Sequence, residues 1–156
     1  MNRTDFAGAF MLASLPFVAF PVHAASVELR SINPAEVRIP GISQAIEIKG
    51  GNLLVLSGQV PLTADGGIAG ETIEEQLVQI FENMRIVLAE AGTDFTSIAR
   101  LTVYFRDYEP SMLQDLRNVR ERYLSRDIPP ASTVVGVSAL YRSEVLVEVE
   151  AIAVVP

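Results

Sequence analysis

The chain has 156 residues, of which 49% are hydrophobic and 20% charged, and its formal net charge is −7. This length and composition fit one compact domain with a buried core and exclude a disordered chain. With no cysteine and a single histidine, neither a disulfide framework, thiolate chemistry nor a conventional zinc site is available, and the acidic balance disfavours nucleic-acid partners, whose affinity depends on Lys and Arg displacing counterions from phosphate.

Residues 1–24 read as a secretory signal peptide. Arg3 precedes an apolar stretch from Phe6 to Phe20, and Val22-His23-Ala24 supplies residues that suit signal peptidase at the two positions it reads. The alternative is an amino-terminal membrane anchor, but Ser14 and Pro16 interrupt the stretch, which falls short of the ~20 residues needed to span hydrocarbon. Cleavage removes His23, leaves residues 25–156 as one domain, and places the protein in the periplasm or outside the cell with no membrane attachment. Any catalysis must then use carboxylates, hydroxyls, Tyr, Lys, Arg, backbone groups and water.

Val27 to Ile32 forms a short lead-in strand ended by Asn33-Pro34. Ala45–Lys49 and Leu53–Gln59 are two strands whose link, Gly50-Gly51-Asn52, is a hairpin signal rich in residues that tolerate positive φ. Pro61 to Gly70 is a loop. Thr72-Ile73-Glu74-Glu75 is a capping box opening a helix that buries Ile73, Leu77, Ile80, Phe81, Met84, Val87, Leu88 and Ala91, with Gly92 just past its end. A strand over Ile98–Phe105 follows, then a second helix from Ser111 to Leu124 burying Met112, Leu113, Leu116, Val119 and Tyr123. Its other side carries Arg117, Arg120, Glu121 and Arg122, expected to be a solvated face. Strands over Ser132–Leu140 and Val145–Val154 complete the order ββαβαββ. Two helices on one side of an antiparallel-rich, mixed sheet define an α+β sandwich. The opposite sheet face is apolar as well, through Leu53, Val55, Thr133, Val135 and Val137, and is expected to be buried against copies of the chain.

Two stretches carry a family pattern. The last 28 residues contain Pro130-Ala131-Ser132-Thr133, a valine-rich strand and then Leu146-Val147-Glu148-Val149-Glu150-Ala151; earlier comes Leu54-Val55-Leu56-Ser57-Gly58-Gln59-Val60-Pro61, with Gln76 and Asn83 in the first helix. Over Pro34–Pro156 the chain resembles the Rid family (reactive intermediate deaminases, or YjgF family). The resemblance implies a chorismate-mutase-like fold, a homotrimer, and small-molecule clefts at the subunit interfaces. Deaminating members hydrolyse imino and enamino acids to oxo acids and ammonia, with no metal and no cofactor.

The resemblance also assigns residues. Glu148 falls on the family's cleft glutamate, which holds the attacking water, although a Glu148/Glu150 pair on one strand face is by default only a wet surface. Ser57 and Gly58 line the cleft in relatives, or form a tight strand end. Thr133 adjoins Ser132, and Ser132 stands where the deaminases carry the arginine that grips the substrate carboxylate. A hydroxyl in place of that fork loses roughly 2–4 kcal/mol toward a desolvated carboxylate. Ile42 stands where many deaminases have a tyrosine. Arg142, in the turn before the last strand, is the alternative source of charge, though a turn arginine is usually solvated. The expected function is therefore cofactor-independent hydrolysis of an imine or enamine other than an ordinary imino acid; the competing reading is a non-catalytic module that binds a small metabolite.

Overall fold

The computed structural model describes residues 26–156, so the expected signal segment, residues 1–24, lies outside the described residues. The elements run β1 (Glu28–Ile32), β2 (Ala45–Lys49), β3 (Asn52–Gln59), α1 (Ile73–Glu90), β4 (Ile98–Arg106), α2 (Met112–Tyr123), β5 (Ala131–Val137) and β6 (Val147–Val155). From β2 onward this is the expected ββαβαββ order.

Helix α1 starts and stops where side-chain chemistry requires. The Thr72 hydroxyl accepts from the Glu75 N–H at 3.3 Å, while the Glu75 carboxylate accepts from the Thr72 N–H at 3.1 Å. At the other end Gly92 adopts φ 73°, and the Gly92 and Thr93 N–H groups donate to the Ala89 and Leu88 carbonyls at 3.0 and 2.9 Å, closing the last turn. Leu77, Ile80, Phe81, Met84 and Leu88 are buried as expected, but Val87 stays 38% exposed and Ala91 is exposed. The buried stripe instead takes in Gln76, because its amide is fully used: it donates to the Gly70 and Glu144 carbonyls at 3.2 and 2.8 Å and accepts from the Leu146 N–H at 2.8 Å.

The main sheet has the strand order β3-β6-β4-β5, with β4 and β5 parallel and the other pairs antiparallel. Leu101, Val103 and Phe105 of β4 and Val147, Val149, Ala151 and Ala153 of β6 pack with the α1 stripe and with Leu116 and Val119 of α2. Phe81 and Tyr123 stack at 5.0 Å between the helices, and the Tyr123 hydroxyl donates to Glu82 at 2.9 Å. The result is an α+β sandwich with both helices on one sheet face.

One local expectation fails. β2 and β3 both form, but they do not pair with each other: β2 pairs with β1 in a separate two-stranded ribbon, and β3 pairs with β6. Gly50 and Gly51, at φ 71° and 75°, pass the chain from one sheet to the other. The nine-residue, apolar β6 offers β3 a longer partner than the five-residue β2, so burial outweighs the local turn signal. A Cβ on Gly51 would also lie 2.6 Å from the Val155 carbonyl oxygen. The final strands are shorter at their facing ends than expected, Val137 ending β5 and Val147 opening β6.

Replacing Gln76 by Leu leaves two carbonyls and one N–H without their part-buried partner. Gln76→Leu is expected to lower unfolding stability by about 2–3 kcal/mol in urea titration, although the residue lies on an otherwise apolar helix stripe.

Candidate functional site

Alternation along β6 sends Glu148 and Glu150 to the face away from the helices. Tyr104 of β4 lies directly opposite Glu148 in the ladder, and its hydroxyl donates to Glu150 at 2.8 Å. Hydrogen bonding to Glu150, with burial and the two negative charges, raises the Tyr104 phenol above its ordinary value. Glu148 has no hydrogen-bond partner of its own among the described residues, and burial followed by repulsion from Glu150 pushes its carboxyl above the ordinary glutamate range. A carboxyl so placed is better suited than an ordinary surface glutamate to exchange protons near neutral pH.

Room for Glu148 comes from β3. Leu56 pairs with Ala151 and Gln59 with Val149, so β3 holds one extra residue and bulges at Ser57-Gly58. A Cβ on Gly58 would land on the Glu148 carboxylate. A side chain here would push the carboxylate away, so glycine is what lets Glu148 hold this position, which gives the Ser-Gly-Gln motif a physical reason. Thr133 shares this outer face, in register with Thr102 and, beyond it, Glu150.

Ser132 and Ile42 lie elsewhere. Ser132 is in register with buried Leu101 and so, like Val134 and Gly136, points to the helix side of β5. There it lines a groove of about 870 Å³ walled by Ile39–Ile42, α2 and β5, with Tyr108, Leu113, Leu116, Leu124 and Pro129 among the lining residues. Ser43 pins the groove's outer wall: its N–H donates to the Pro130 carbonyl at 3.2 Å and its buried hydroxyl to the Pro129 carbonyl at 2.5 Å. The six candidate residues thus divide: Glu148, Gly58 and Ser57 meet at the outer-face bulge, Thr133 shares that face but lies three strands across the sheet from β3, and Ser132 and Ile42 are in the groove.

The structure corrects the expected solvated stripe on α2. Arg122 pairs with Glu74 and Arg126 with Glu121, but Arg120 turns inward and is half-buried in the groove, donating to the Gly41 carbonyl at 3.1 Å and toward the Ser132 hydroxyl at 3.4 Å. Burial holds its guanidinium below its ordinary value. Arg142 is not in the groove; it donates to the Gly66 carbonyl at 3.1 Å and lies over the Tyr141 ring. Asn83 ties the segment after β3 to α1 by donating to the Val60 and Leu62 carbonyls at 3.2 and 3.0 Å. Tyr104 and Arg120 are the two groups that residue-by-residue reading passes over. Strand alternation away from Leu101, Val103 and Phe105 marks the first; helical spacing marks the second, since Arg120 lies four residues after Leu116 and seven after Leu113, inside the apolar arc of α2, whereas Arg117, Glu121 and Arg122 fall outside it.

A mixed sheet under two helices is the architecture of a chorismate-mutase-like sandwich. The model of the family described as Endoribonuclease L-PSP matches residues 38–155. A RutC family protein of Aquifex aeolicus is 33% identical over 120 residues, covering 76% of this chain and 93% of that protein. Reactive Intermediate Deaminase A of Arabidopsis thaliana, a chloroplast protein, is 34% identical over 133 residues, covering 81% and 67%. In structure, a Rid-family protein of unknown function from Yersinia pestis superposes with a TM-score of 0.75 at 32% identity, covering 81% of this chain and 98% of that one. The chain belongs to the Rid family.

The fold raises the Glu148 value, so the contribution of this one carboxyl to stability is fully present in acid and is lost as pH rises through the ordinary glutamate range toward the folded-state value. Glu148→Gln is expected to raise the melting temperature near pH 7 and to leave it unchanged near pH 3, about one unit below the ordinary carboxyl value. An equal shift at both pH values in thermal unfolding would contradict the burial argument.

Proposed function

We propose that this Rid-family protein is an exported, cofactor-independent hydrolase of an imine or enamine other than an ordinary imino acid. The observation that carries the reading is the Glu148 carboxyl, raised in pKa and seated over Gly58 beside Tyr104 and Glu150. In the reaction a water oxygen adds to the C=N carbon, the C–N bond breaks, and the protons released by water leave on nitrogen as ammonia; Glu148 orients the water and relays a proton. The name of the Arabidopsis relative supports the reaction class. The word endoribonuclease in the family description does not transfer readily to a chain of net charge −7. Export rests on the signal-like residues 1–24 alone.

A non-catalytic binding module is the second reading, favoured by one observation: Ser132 and Ile42 lie on the opposite side of the sheet from Glu148. Imines without a carboxylate, generated from primary amines by an amine oxidase, separate the two. The enzyme reading expects ammonia release that Glu148→Gln reduces by about 100-fold, the scale of a lost acid–base group. It also expects Gly58→Ala to abolish release by displacing the carboxylate. Wild-type release no faster than the spontaneous reaction leaves only the module.

The assembly is proposed as a homotrimer built on the outer sheet face, where Leu53 is 62% and Val55 71% exposed. Light scattering is expected to give three times the chain mass, and Val55→Asp to give the monomer; a monomeric wild-type protein refutes the trimer.

A further inference from the structure

We propose that the groove between α2, β5 and the Ile39–Ile42 loop binds a small carboxylate with an apolar body, its anionic end held by the Arg120 guanidinium and the Ser132 hydroxyl. The proposal shares with the preceding reading only that the ligand is a small molecule; it does not require hydrolysis.

Arg120 has no acidic partner among the described residues: every ion pair there involves other side chains. Its contacts to Gly41 and Ser132 occupy two of five N–H donors, and the Ser132 contact is long at 3.4 Å. A half-buried cation without a counter-charge is costly, and a bound anion relieves that cost. The groove also inverts the charge of the molecule. Its charged lining side chains are Arg117, Arg120, Arg126 and Glu121, three positive against one negative, in a chain of net charge −7.

The remaining lining selects the body of the ligand. Ile39, Pro40, Ile42, Leu113, Leu116 and Val134 present apolar surface in a groove of about 870 Å³, large enough for a ring or a branched chain beside the carboxylate. Serine at 132 has a positive role here. An arginine on β5 would crowd a second guanidinium against Arg120, whereas the short hydroxyl leaves the α2 arginine its place and adds one donor or acceptor. A single planar fork in an apolar setting suits a monocarboxylate.

Phenylacetate and its neutral counterpart phenylacetamide are the probes, titrated calorimetrically into wild-type protein and Arg120→Gln. The proposal expects the acid to bind at least about tenfold more tightly than the amide to the wild type. It expects Arg120→Gln to abolish that preference and Arg120→Lys to restore only part of it. Equal binding of acid and amide by the wild type, or binding of neither, overturns it, as does an acid preference that survives in Arg120→Gln. Should Arg120→Gln unfold because Gly41 loses its donor, the acid–amide comparison on the unaltered protein still decides. Absence of turnover leaves that comparison intact, so the two readings fail separately.

Discussion

The side-chain alternation of β6 is the constraint on which both the sheet and the site depend. Val147, Val149, Ala151 and Ala153 must face the helices, so Glu148 and Glu150 must face away. A slip of one residue would press both carboxylates into the core, at a cost well beyond what a domain of this size can absorb. Because β6 lies between β3 and β4, it sets the register of both neighbours. Tyr104 opposite Glu148, and the β3 bulge beside it, follow from that one alignment.

Backbone space and charge then divide the molecule into two chemical regions. On the outer face a glycine bulge admits a carboxyl, and burial together with the neighbouring acid resists its ionisation. On the helix side of β5 a single arginine from α2 enters an apolar groove whose wall is stitched to the strand by Ser43. Beside residue 132 the short serine hydroxyl leaves the α2 guanidinium its place.

Much of this was legible in the residues. The Thr72/Glu75 box, the glycine at 92 and the apolar stripe between them define α1 almost to the residue, because capping and periodicity act locally. The terminal strands were legible for the same reason, together with the family pattern around Ser57-Gly58 and Glu148. The pairing of β3 was not. Gly50-Gly51-Asn52 reads as a hairpin, and only the availability of β6, about a hundred residues away in sequence, decides otherwise. The spacing of Arg120 from Leu113 and Leu116 puts it on the apolar side of α2, but its partners there come from a loop and a strand that the α2 sequence does not contain. Gln76 is the converse case: a polar residue on an apolar stripe whose placement makes sense only once its three backbone partners are known.

The Ser43 anchor and the β3 bulge have a further consequence for how the molecule can associate. β5 and β3 are the two borders of the main sheet, the places where a foreign strand could join and extend it. At one border Ser43 is already bridged to Ala131, filling the start of β5. At the other, the inserted residue at Ser57-Gly58 interrupts the straight run of free backbone groups. Strand-by-strand polymerisation is thus opposed at each rim by a different device.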